Sequence, residues 1–393
     1  MTQSGADLDP VGLGIAGLGM AGAVMVQAAA AHPGFVLRAG ADPHPAPREA
    51  FARDFNARAY ADVAELCADP LVEVVYIATP HQFHRPLAIL AAEHGKHIIL
   101  EKPMALTLAD CDAIIAAVER HKVHLVVGHT HAFDPAVRLM RQIIAQGELG
   151  RLGLIHSFNY TNYLYRPRRP EELDTAKGGG ILFNQVPHQI DTARLIANSR
   201  VRSVRAHTTR LDRARPTEGG SIVMLDFESG AAASLVYSGY DHFDSDELHY
   251  WVGEGGGDKR PSHGRTRRSL QDSVAKTAEA RLRTERYGYG SPLWSTSGLG
   301  DNPHQPHFGV LIASCEKADI KPSADGILIY ADEGLREHAL PSGASGYGNV
   351  VGELMTAIKT GKPAVHDGNW GRHTVAIILA ILQSARERRE ITP

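Results

Sequence analysis

The 393-residue sequence predicts an α/β protein of two domains, in which a doubly wound parallel sheet precedes an α+β domain built on a mostly antiparallel open sheet. Three observations support this prediction. A glycine-rich turn follows the first apolar segment, short apolar strands alternate with helical patterns as far as Gly128, and longer strands of alternating polarity follow. Short strands that alternate with helices are typical of a parallel sheet covered on both faces. We therefore divide the chain into residues 1–128 and 129–393.

The first element is an apolar strand at 11–16 that leads into the glycine turn. The stretch VGLGIAGLGMAG contains the dinucleotide fingerprint Gly-x-Gly-x-x-Gly in two frames, one beginning at Gly12 and one at Gly17. The fingerprint requires a buried strand before it, a helix within it and an acidic residue about 20 residues later. The second frame meets these conditions, with Asp42 as the acid, whereas a polar segment that ends in Pro10 precedes the first.

The second frame assigns a role to each of its glycines. Gly17 permits the tight turn, Gly19 lets the backbone approach the pyrophosphate, and Gly22 lets helix and strand pack closely. The positive end of the following helix then faces the phosphates. The alternative is a glycine-rich turn without a ligand. The predicted cofactor-binding residues of the turn are Gly17, Leu18, Gly19, Met20, Ala21 and Gly22.

Asp42 bears on the choice of cofactor. A carboxylate at the end of the second strand accepts hydrogen bonds from the adenosine ribose hydroxyls and repels a 2′-phosphate. The sequence therefore predicts NAD rather than NADP, although Arg48 lies close enough to weaken this preference.

The remaining elements of the first domain follow from short apolar runs and helical periodicity. A helix opens at 106–121 with Thr107 and Asp110 in a capping-box-like arrangement. Another helix is predicted at 84–94. The predicted strands are 11–16, 35–41, 72–78, 97–101 and 123–127.

The second domain has longer strands whose polarity alternates, as in an antiparallel sheet with one covered face. Between Lys259 and Arg286 the chain carries nine Lys or Arg against three Asp or Glu. We interpret residues 253–306 as a long, basic, glycine-rich solvated excursion with a short helix at 270–284, and nucleic-acid binding is the alternative. The predicted strands are 152–160, 201–211, 220–227, 231–238 and 247–252, and the predicted helices are 135–146, 184–197, 349–360 and 371–388.

Composition excludes several other classes of protein. The net charge of −3 gives no overall attraction to nucleic acid or to a membrane surface. Cys67, Cys111 and Cys315 lie too far apart for a disulfide framework or a zinc site, so we predict no metal. The first ten residues do not resemble a signal peptide, and no apolar run is long enough to span a bilayer. A cytoplasmic enzyme without nucleic-acid or membrane partners is expected.

Two stretches with chemically useful side chains follow predicted strands of the first domain. ATPHQFH at 78–84 contains Thr79, Pro80 and His84, and Glu101, Lys102 and Pro103 follow the next strand. In such sheets ligands bind at the carboxyl ends of the strands. A lysine there is costly unless it faces a cleft. Beside a positively charged nicotinamide its pKa would fall, which suits proton transfer. The alternative is a surface lysine, and Pro103 is a candidate for a cis peptide bond.

A third stretch, GGGILFNQVPHQID at 178–191, contains His188. On one helix His188 shares a face with Asn184 and Asp191. His188 could then remove a hydroxyl proton while Asn184 orients the substrate and Asp191 orients the imidazole. Because the chain has 21 histidines, the alternative is an ordinary polar histidine.

Together these motifs resemble the Gfo/Idh/MocA oxidoreductases, which include glucose–fructose oxidoreductase and inositol 2-dehydrogenase. The resemblance rests on the glycine turn, Thr79-Pro80 with His84, Glu101-Lys102-Pro103, and the glycine run with His188 and Asp191. It implies that Lys102 and His188 are the catalytic pair and that Glu101 and His84 help to line the nicotinamide site. Many family members have an aspartate where this chain has Asn184, so proton removal would fall to His188 or Lys102.

Within the family the chain is most similar to the branch that oxidises cis-dihydrodiols of aromatic acids, typified by 4,5-dihydro-4,5-dihydroxyphthalate dehydrogenase. The segments 237–256 and 305–330 carry this resemblance. Arg166, Arg168 and Arg169 precede the glycine run, and an arginine cluster suits a carboxylate-bearing substrate. The alternative for these arginines is a solvated loop.

The expected reaction is NAD-dependent oxidation of a secondary alcohol on a small ring. The expected substrate is a cis-dihydrodiol of an aromatic mono- or dicarboxylic acid. The alternatives are a sugar or polyol dehydrogenase, a glycosidase that uses NAD transiently, and a non-catalytic NAD-binding regulator. We expect the exposed face of the second sheet to join subunits into a homodimer or homotetramer.

Overall fold

The computed structural model describes residues 10–271, 279, 281–283, 288–291, 302–342 and 346–393. The described residues form two compact units. One lies within Met1–Gly128, Thr284–Trp294 and Val350–Trp370, and the other within His129–Arg283, Ser295–Asn349 and Gly371–Pro393.

The first unit contains a six-stranded sheet in the order β3-β2-β1-β4-β5-β6 whose described pairings are all parallel, which confirms the predicted doubly wound sheet. The strand order reverses beside β1, and ligands bind at such a point in open α/β sheets. The strands are β1 Val11–Ala16, β2 Phe35–Ala41, β3 Arg58–Tyr60, β4 Val74–Ile77, β5 His97–Leu100 and β6 Leu125–Val127. The helices are α1 Met20–Ala30, α2 Pro45–Phe55, α3 Val63–Ala68, α4 His84–Glu93 and α5 Leu108–His121.

Local signals account for the helix boundaries in this unit. The Oγ of Thr107 accepts a 3.1 Å hydrogen bond from the backbone N–H of Asp110, which confirms the predicted start of α5. Helix α2, which carries Pro45 and Pro47 in its first turn, was not among the predicted helices. Proline is nevertheless tolerated in the first turn of a helix, where its missing N–H has no partner to lose. The short elements β3 and α3 were also missed.

The second unit contains an eight-stranded sheet in the order β14-β13-β12-β11-β7-β10-β9-β8. Among the described strand pairs of this sheet, β7 with β10 is the parallel one, so the prediction of a mostly antiparallel sheet is confirmed. Its strands are β7 Leu152–Tyr160, β8 Val201–Thr209, β9 Gly220–Phe227, β10 Ala232–Ser238, β11 Val310–Cys315, β12 Ala318–Pro322, β13 Gly326–Ala331 and β14 Gly334–Ala339. Further helices are α6 Pro135–Gln146, α7 Gly180–Asn184, α8 Val186–Ala197, α9 Arg265–Gln271, α10 Gly346–Thr360 and α11 Gly368–Glu387.

Three predictions for this unit need correction. The segment 247–252 is not a strand: a 3₁₀ helix covers Ser245–His249, because the side chain of Asp244 caps it, and a turn with positive φ at Tyr250 and Trp251 follows. The four strands β11 to β14 were not predicted. Of the helix predicted at 270–284, residues 265–271 are helical and the remainder lies largely outside the described residues.

The two faces of the second sheet differ in their surroundings. Helices α6 and α8 pack on one face, where Ile155 and Leu235 are buried. On the other face Leu154, Ile222 and Met224 are 48%, 57% and 56% exposed. One face therefore supports the core, and the other presents apolar side chains to the surface. No helix in the described part of the chain is long and apolar enough to cross a membrane.

Candidate active site

The glycine turn between β1 and α1 has the geometry that a dinucleotide requires. Gly17 has φ of 93°, and a Cβ on Gly22 would lie 1.9 Å from the carbonyl oxygen of Gly17. A Cβ on Gly19 would meet no atom within 4 Å, and no side chain caps α1 at its N-terminus. Open space beside an uncapped helix start fits a pyrophosphate group. The predicted turn residues Leu18, Met20 and Ala21 lie in this segment.

Asp42 lies directly against the glycine turn. Its carboxylate is buried and accepts hydrogen bonds of 2.9 Å from the backbone N–H groups of Leu18 and His44. The guanidinium of Arg48 donates to the backbone carbonyl of Asp42 at 2.7 Å. The acid is thus held by the turn itself, at the position where the ribose of a dinucleotide is recognised.

A segment from the basic excursion also reaches the glycine turn. The backbone N–H of Tyr289 donates a 2.9 Å hydrogen bond to the carbonyl of Leu18, and its hydroxyl donates to Asp54 at 3.2 Å. The ring contacts Phe51 and Phe55 of α2, and burial raises the pKa of Tyr289 to about 12 with a further contribution from Asp54. Residues 288–291 therefore belong to the first unit, and no sequence signal indicated this.

His84 connects the two strand-end loops of the first unit. It is fully buried, and its ring nitrogens lie 3.0 Å from the carbonyl oxygens of Thr79 and Pro103. Burial lowers the pKa of His84, although these carbonyls oppose the shift. The side chain thus holds the loops of Thr79-Pro80 and Lys102-Pro103. The buried hydroxyl of Thr79 has no hydrogen-bond partner, so this loop has an unused polar atom for a ligand.

Glu101 orients the backbone at Lys102. Its buried carboxylate accepts a 2.5 Å hydrogen bond from the hydroxyl of Tyr76 and a 3.2 Å bond from the backbone N–H of Lys102. The Lys102–Pro103 peptide bond is cis, which confirms the expectation for Pro103. Lys102 follows the carboxyl end of β5 and is partly exposed. It therefore lies at the edge of the sheet where ligands bind in such folds.

In the second unit, His188 lies on α8 within an aromatic cluster. It is buried, and its ring centroid lies 4.9 Å from that of His131 and 4.8 Å from that of Phe308. The backbone N–H of His131 donates a 3.3 Å hydrogen bond to Nδ1 of His188. This contact gives Nδ1 an acceptor role.

His131 lies between two carboxylates. Its Nδ1 is 2.5 Å from Asp134, and its Nε2 is 3.2 Å from Glu254. Burial by itself would lower the pKa of His131, but the two carboxylates raise it to about 10. The pKa of Glu254 falls to about 2, because His131 and Arg166 outweigh the cost of burial. An imidazolium with a carboxylate at each nitrogen therefore lies beside His188.

The three residues that were predicted to share one helix face, Asn184, His188 and Asp191, lie on two helices. The break falls at Gln185, between α7 and α8, so Asn184 and His188 do not have helical spacing. The helix predicted at 184–197 is present as α8, which begins two residues later, so Asn184 lies outside it at the end of α7. The amide nitrogen of Asn184 instead donates 2.9 Å bonds to the carbonyls of Gly178 and Gly180 and fixes the glycine run.

Asp191 also differs from its expected role. Its carboxylate accepts a 2.5 Å hydrogen bond from the hydroxyl of Thr374 and pairs with Arg194 at 3.4 Å. These contacts tie α8 to α11. The hydrogen bond that the structure places on Nδ1 of His188 comes from His131 rather than from Asp191.

A polar cavity of about 260 Å³ lies in the second unit beside Glu254. Lys259, on its wall, is bound to Asp244 at 2.5 Å and to Asp246 at 2.6 Å. Arg166 lies 3.8 Å from Glu254. Glu254 thus connects the cavity to His131 and His188. The lining residues are Asn159, Thr161, Asn162, Arg166, Asp246, Gly253, Glu254, Lys259 and Gly309.

The structure distinguishes the three arginines that the sequence grouped together. Arg168 is buried, donates 2.8 and 3.2 Å bonds to the carbonyl of Tyr163 and stacks 3.8 Å from that ring. Arg169 pairs with Glu172 at 3.4 Å and is two-fifths exposed. Of the three, Arg166 lies on the cavity wall. Among the described residues, no group of three or more His, Cys, Asp or Glu is arranged to hold a metal ion.

Sequence reasoning missed His131 and Glu254. A signal for His131 exists in GHTHAFDP, where His131 precedes Asp134 by three residues. Glu254 lies 123 residues further along the chain, so no local pattern could connect it to His131.

Comparison with known proteins identifies the family of this chain. A model described as an oxidoreductase family with an NAD-binding Rossmann fold matches residues 11–129, and a GFO/IDH/MocA C-terminal domain model matches residues 137–256. The chain belongs to the Gfo/Idh/MocA oxidoreductase family. The resemblance carried by the motifs is thereby confirmed, and the protein is a nicotinamide-dependent dehydrogenase.

Relatives within the Gfo/Idh/MocA family cover nearly the whole chain. The 1-carboxy-3-chloro-3,4-dihydroxycyclohexa-1,5-diene dehydrogenase of Comamonas testosteroni is 41% identical over 95% of this chain and 94% of its own. A solved structure from Bordetella bronchiseptica RB50 is 46% identical, covers 98% of this chain and 100% of its own, and has a TM-score of 0.93. A levoglucosan dehydrogenase in complex with NADH and levoglucosan covers 98% of this chain and 99% of its own, and it shares the fold with a TM-score of 0.73 at 21% identity.

Proposed function

We propose that this chain oxidises a cis-dihydrodiol of an aromatic carboxylic acid to the dihydroxy aromatic acid, with NAD as the hydride acceptor. The 41% identity to a dehydrogenase of a carboxylated dihydroxycyclohexadiene carries the proposal, because the match extends over nearly the full length of both chains. The cavity bounded by Arg166 supports it, since a guanidinium suits a carboxylate.

The residues present fit the cofactor. The turn from Gly17 to Gly22 would hold the pyrophosphate, Asp42 the adenosine ribose, and the loop at Thr79 the nicotinamide half. NAD, when bound, supplies the hydride acceptor. The protein's own task is then to handle the hydroxyl proton, which we assign to Lys102 and His188.

The overall reaction removes two hydrogens from the ring. The alcohol carbon loses a hydride and its hydroxyl loses a proton, which leaves a ketone. The neighbouring hydroxyl-bearing carbon then loses its hydrogen as a proton, and the ketone oxygen gains a proton. The ring thereby becomes aromatic. The gain in aromatic stabilisation makes this oxidation favourable for a dihydrodiol, whereas a saturated polyol has no such gain.

The charges around the cavity favour a substrate with one carboxylate over one with two. Lys259 is bound to two carboxylates, Asp244 and Asp246. Arg166 donates to the amide oxygen of Asn162 at 2.8 Å and lies 3.8 Å from one carboxylate, Glu254. We assign the substrate carboxylate to Arg166, because a guanidinium can donate two parallel hydrogen bonds to a carboxylate. A second carboxylate in the same cavity would face Asp246 or Glu254. The sequence analysis expected a dihydrodiol of a mono- or dicarboxylic acid. From the charges around the cavity we propose the monocarboxylic acid.

The test is oxidation of matched dihydrodiols by the purified protein with NAD, followed by NADH absorbance. The panel contains a monocarboxylate, a dicarboxylate and an uncharged dihydrodiol of benzene. We expect the highest kcat/KM with the monocarboxylate. Turnover of inositols or sugars alone would instead favour a polyol dehydrogenase. Cleavage of a glycoside without net NADH release would favour a glycosidase that uses NAD transiently.

We also propose that the chain assembles into a homodimer or homotetramer through the exposed face of the second sheet. Three apolar side chains on that face, Leu154, Ile222 and Met224, are about half exposed. Apolar surface of this kind on a sheet is typical of an interface.

A further inference from the structure

We propose that His131 is a positioning residue that fixes His188 as a neutral imidazole with its proton on Nε2, so that His188 donates a hydrogen bond to the substrate oxygen and another residue accepts the proton. The proposal rests on the proposed function for its catalytic consequence. Its structural part concerns the protein alone.

The first step is the charge of His131. Both of its ring nitrogens face carboxylate oxygens, Asp134 at 2.5 Å and Glu254 at 3.2 Å. A neutral imidazole can donate at one nitrogen only, whereas an imidazolium donates at both. The geometry therefore selects the imidazolium, in agreement with a pKa raised to about 10 by these carboxylates against the effect of burial.

The second step is the rigidity of this arrangement. Asp134 is buried and begins α6, and Glu254 belongs to the segment that follows Val252. The ring of Phe308 stacks on His131 at a centroid distance of 4.7 Å. Two charge-assisted hydrogen bonds and the ring contacts with His129, His188 and Phe308 hold the side chain, and the backbone at His131 is held with it.

The third step is the contact with His188. The backbone N–H of His131 donates to Nδ1 of His188 at 3.3 Å. Nδ1 must offer its lone pair to this donor, so it carries no proton. The imidazolium form and the Nδ1–H tautomer of His188 would each place two hydrogens between these nitrogens. A hydrogen bond to the neutral form disfavours the charged form.

The charged groups nearby do not override this contact. His131 carries one positive charge, and its partners Asp134 and Glu254 carry one negative charge each. Arg166, 3.8 Å from Glu254, adds a second positive charge, so the net charge of these four groups is zero. On α8, Asp191 is paired with Arg194. His129 is the other titratable ring in the cluster, 6.5 Å from His188. The direct hydrogen bond from His131 to Nδ1 favours the Nε2–H tautomer of His188.

The consequence is that hydrogen bonding to the substrate oxygen and acceptance of the hydroxyl proton belong to different residues. A neutral His188 with Nε2–H can donate a hydrogen bond to the alcohol or ketone oxygen, but it has no lone pair at Nε2 for the hydroxyl proton. We assign the role of proton acceptor to Lys102, the other member of the proposed pair. The sequence left this choice open.

The experiment measures the tautomer directly in the protein without substrate. Nitrogen NMR of the histidine-labelled wild-type chain, with the His188 signals assigned by their loss in His188→Gln, should show a protonated Nε2 and an unprotonated Nδ1 near pH 7. His131→Ala should give mixed tautomers. His131→Arg should restore the wild-type form by bridging the same carboxylates. His124→Ala is the control that leaves the tautomer unchanged, because His124 stacks on His97 in the first unit.

The catalytic consequence is tested separately with a substrate that the enzyme oxidises. His131→Ala should lower kcat by about ten- to a hundredfold, the range for residues that orient a functional side chain, and His131→Arg should recover most of it. The acid limb of the pH profile of kcat should persist in His188→Gln and disappear in Lys102→Met.

An Nδ1–H tautomer or a charged His188 in the wild-type protein at pH 7 would overturn the proposal even if His131→Ala does not fold. Failure of the dihydrodiol assay would leave the tautomer result intact, so the two proposals fail independently.

Discussion

The backbone N–H of Leu18 donates a 2.9 Å hydrogen bond to the carboxylate of Asp42, which joins the glycine turn to the end of β2. Asp42→Asn keeps the size of the side chain and removes its charge. We expect NAD affinity to fall by about ten- to a hundredfold, since a hydrogen bond to a charged group contributes about 1.5–3 kcal/mol. NADP affinity should change less, because the repulsion of its 2′-phosphate disappears at the same time.

Calorimetric titration of both dinucleotides measures this change. Arg48→Ala is the companion variant, because Arg48 binds the carbonyl of Asp42 at 2.7 Å without touching the carboxylate in that contact. It should weaken NADP more than NAD. Tighter binding of NADP than of NAD by the wild-type protein would show that Asp42 does not select the cofactor.

Removal of either proposed proton-handling group should slow turnover. Lys102→Ala and His188→Ala should each lower kcat by about 10²- to 10⁴-fold, the range for positioned acid–base groups. Because His188 lies in the second unit, among His131 and Phe308, NAD affinity should be unchanged in His188→Ala. Steady-state kinetics and NAD titration separate the two effects. Turnover close to that of the wild type in either variant would remove that residue from the mechanism.

The three arginines provide a matched set for the substrate carboxylate. Arg166→Met should raise KM for the carboxylated dihydrodiol by about ten- to a hundredfold and leave KM for the uncharged dihydrodiol nearly unchanged. Arg169→Met should affect neither substrate, because Arg169 is paired with Glu171 and Glu172 and does not line the cavity. Arg168→Met should lower the melting temperature without separating the substrates, because its buried guanidinium stacks on Tyr163.

Equal changes of KM for the charged and uncharged substrates in Arg166→Met would contradict the assignment. Arg166→Lys should recover part of the loss, since an ammonium supplies charge but lacks the planar pair of donors of a guanidinium.

Tyr289 should support cofactor binding through the glycine turn. Tyr289→Ala removes the contacts with Phe51, Phe55 and Asp54, and we expect weaker binding of ADP-ribose as well as of NAD. Tyr289→Phe is the control, because it keeps the ring contacts with Phe51 and Phe55 and loses the hydroxyl bond to Asp54. Equilibrium titration with ADP-ribose checks this result. Unchanged affinity for ADP-ribose and NAD in Tyr289→Ala would mean that residues 288–291 pack on α2 without supporting cofactor binding.

The exposed sheet face should join subunits. Ile222 and Met224 are 57% and 56% exposed and lie two residues apart on β9, so they point to the same side. Ile222→Lys with Met224→Lys should reduce the mass measured by light scattering from that of an oligomer to that of a monomer. Leu211→Lys is the control, since Leu211 is 73% exposed and lies outside the strands. A wild-type protein that is already monomeric would refute the proposed assembly.

The first unit shows how far local patterns can lead. The glycine turn, the acid at Asp42 and the start of α5 at Thr107 each depend on residues close in sequence, and the structure places them as the periodicity indicates. The short elements β3 and α3 were missed, because three to six residues carry little periodic signal.

The second unit shows where such patterns fail. The break at Gln185 separates Asn184 from His188, although the sequence continues in a helical pattern. Arg166 and Arg168 are two residues apart, yet one lines a cavity and the other is buried against Tyr163. Composition could not separate them, because the difference depends on what each side chain contacts.

The sequence by itself determined the fold class, the family, the frame of the cofactor turn and the candidates Lys102 and His188, since each is encoded by local periodicity or by a short motif. The tertiary structure decided the surroundings of those residues. Glu254 reaches His131 from 123 positions away, and His131 reaches His188 from 57 positions away. Folding brings such groups together through packing of distant segments, and burial then makes the carboxylates set the charge of His131. Proximity of this kind has no local signature in the chain.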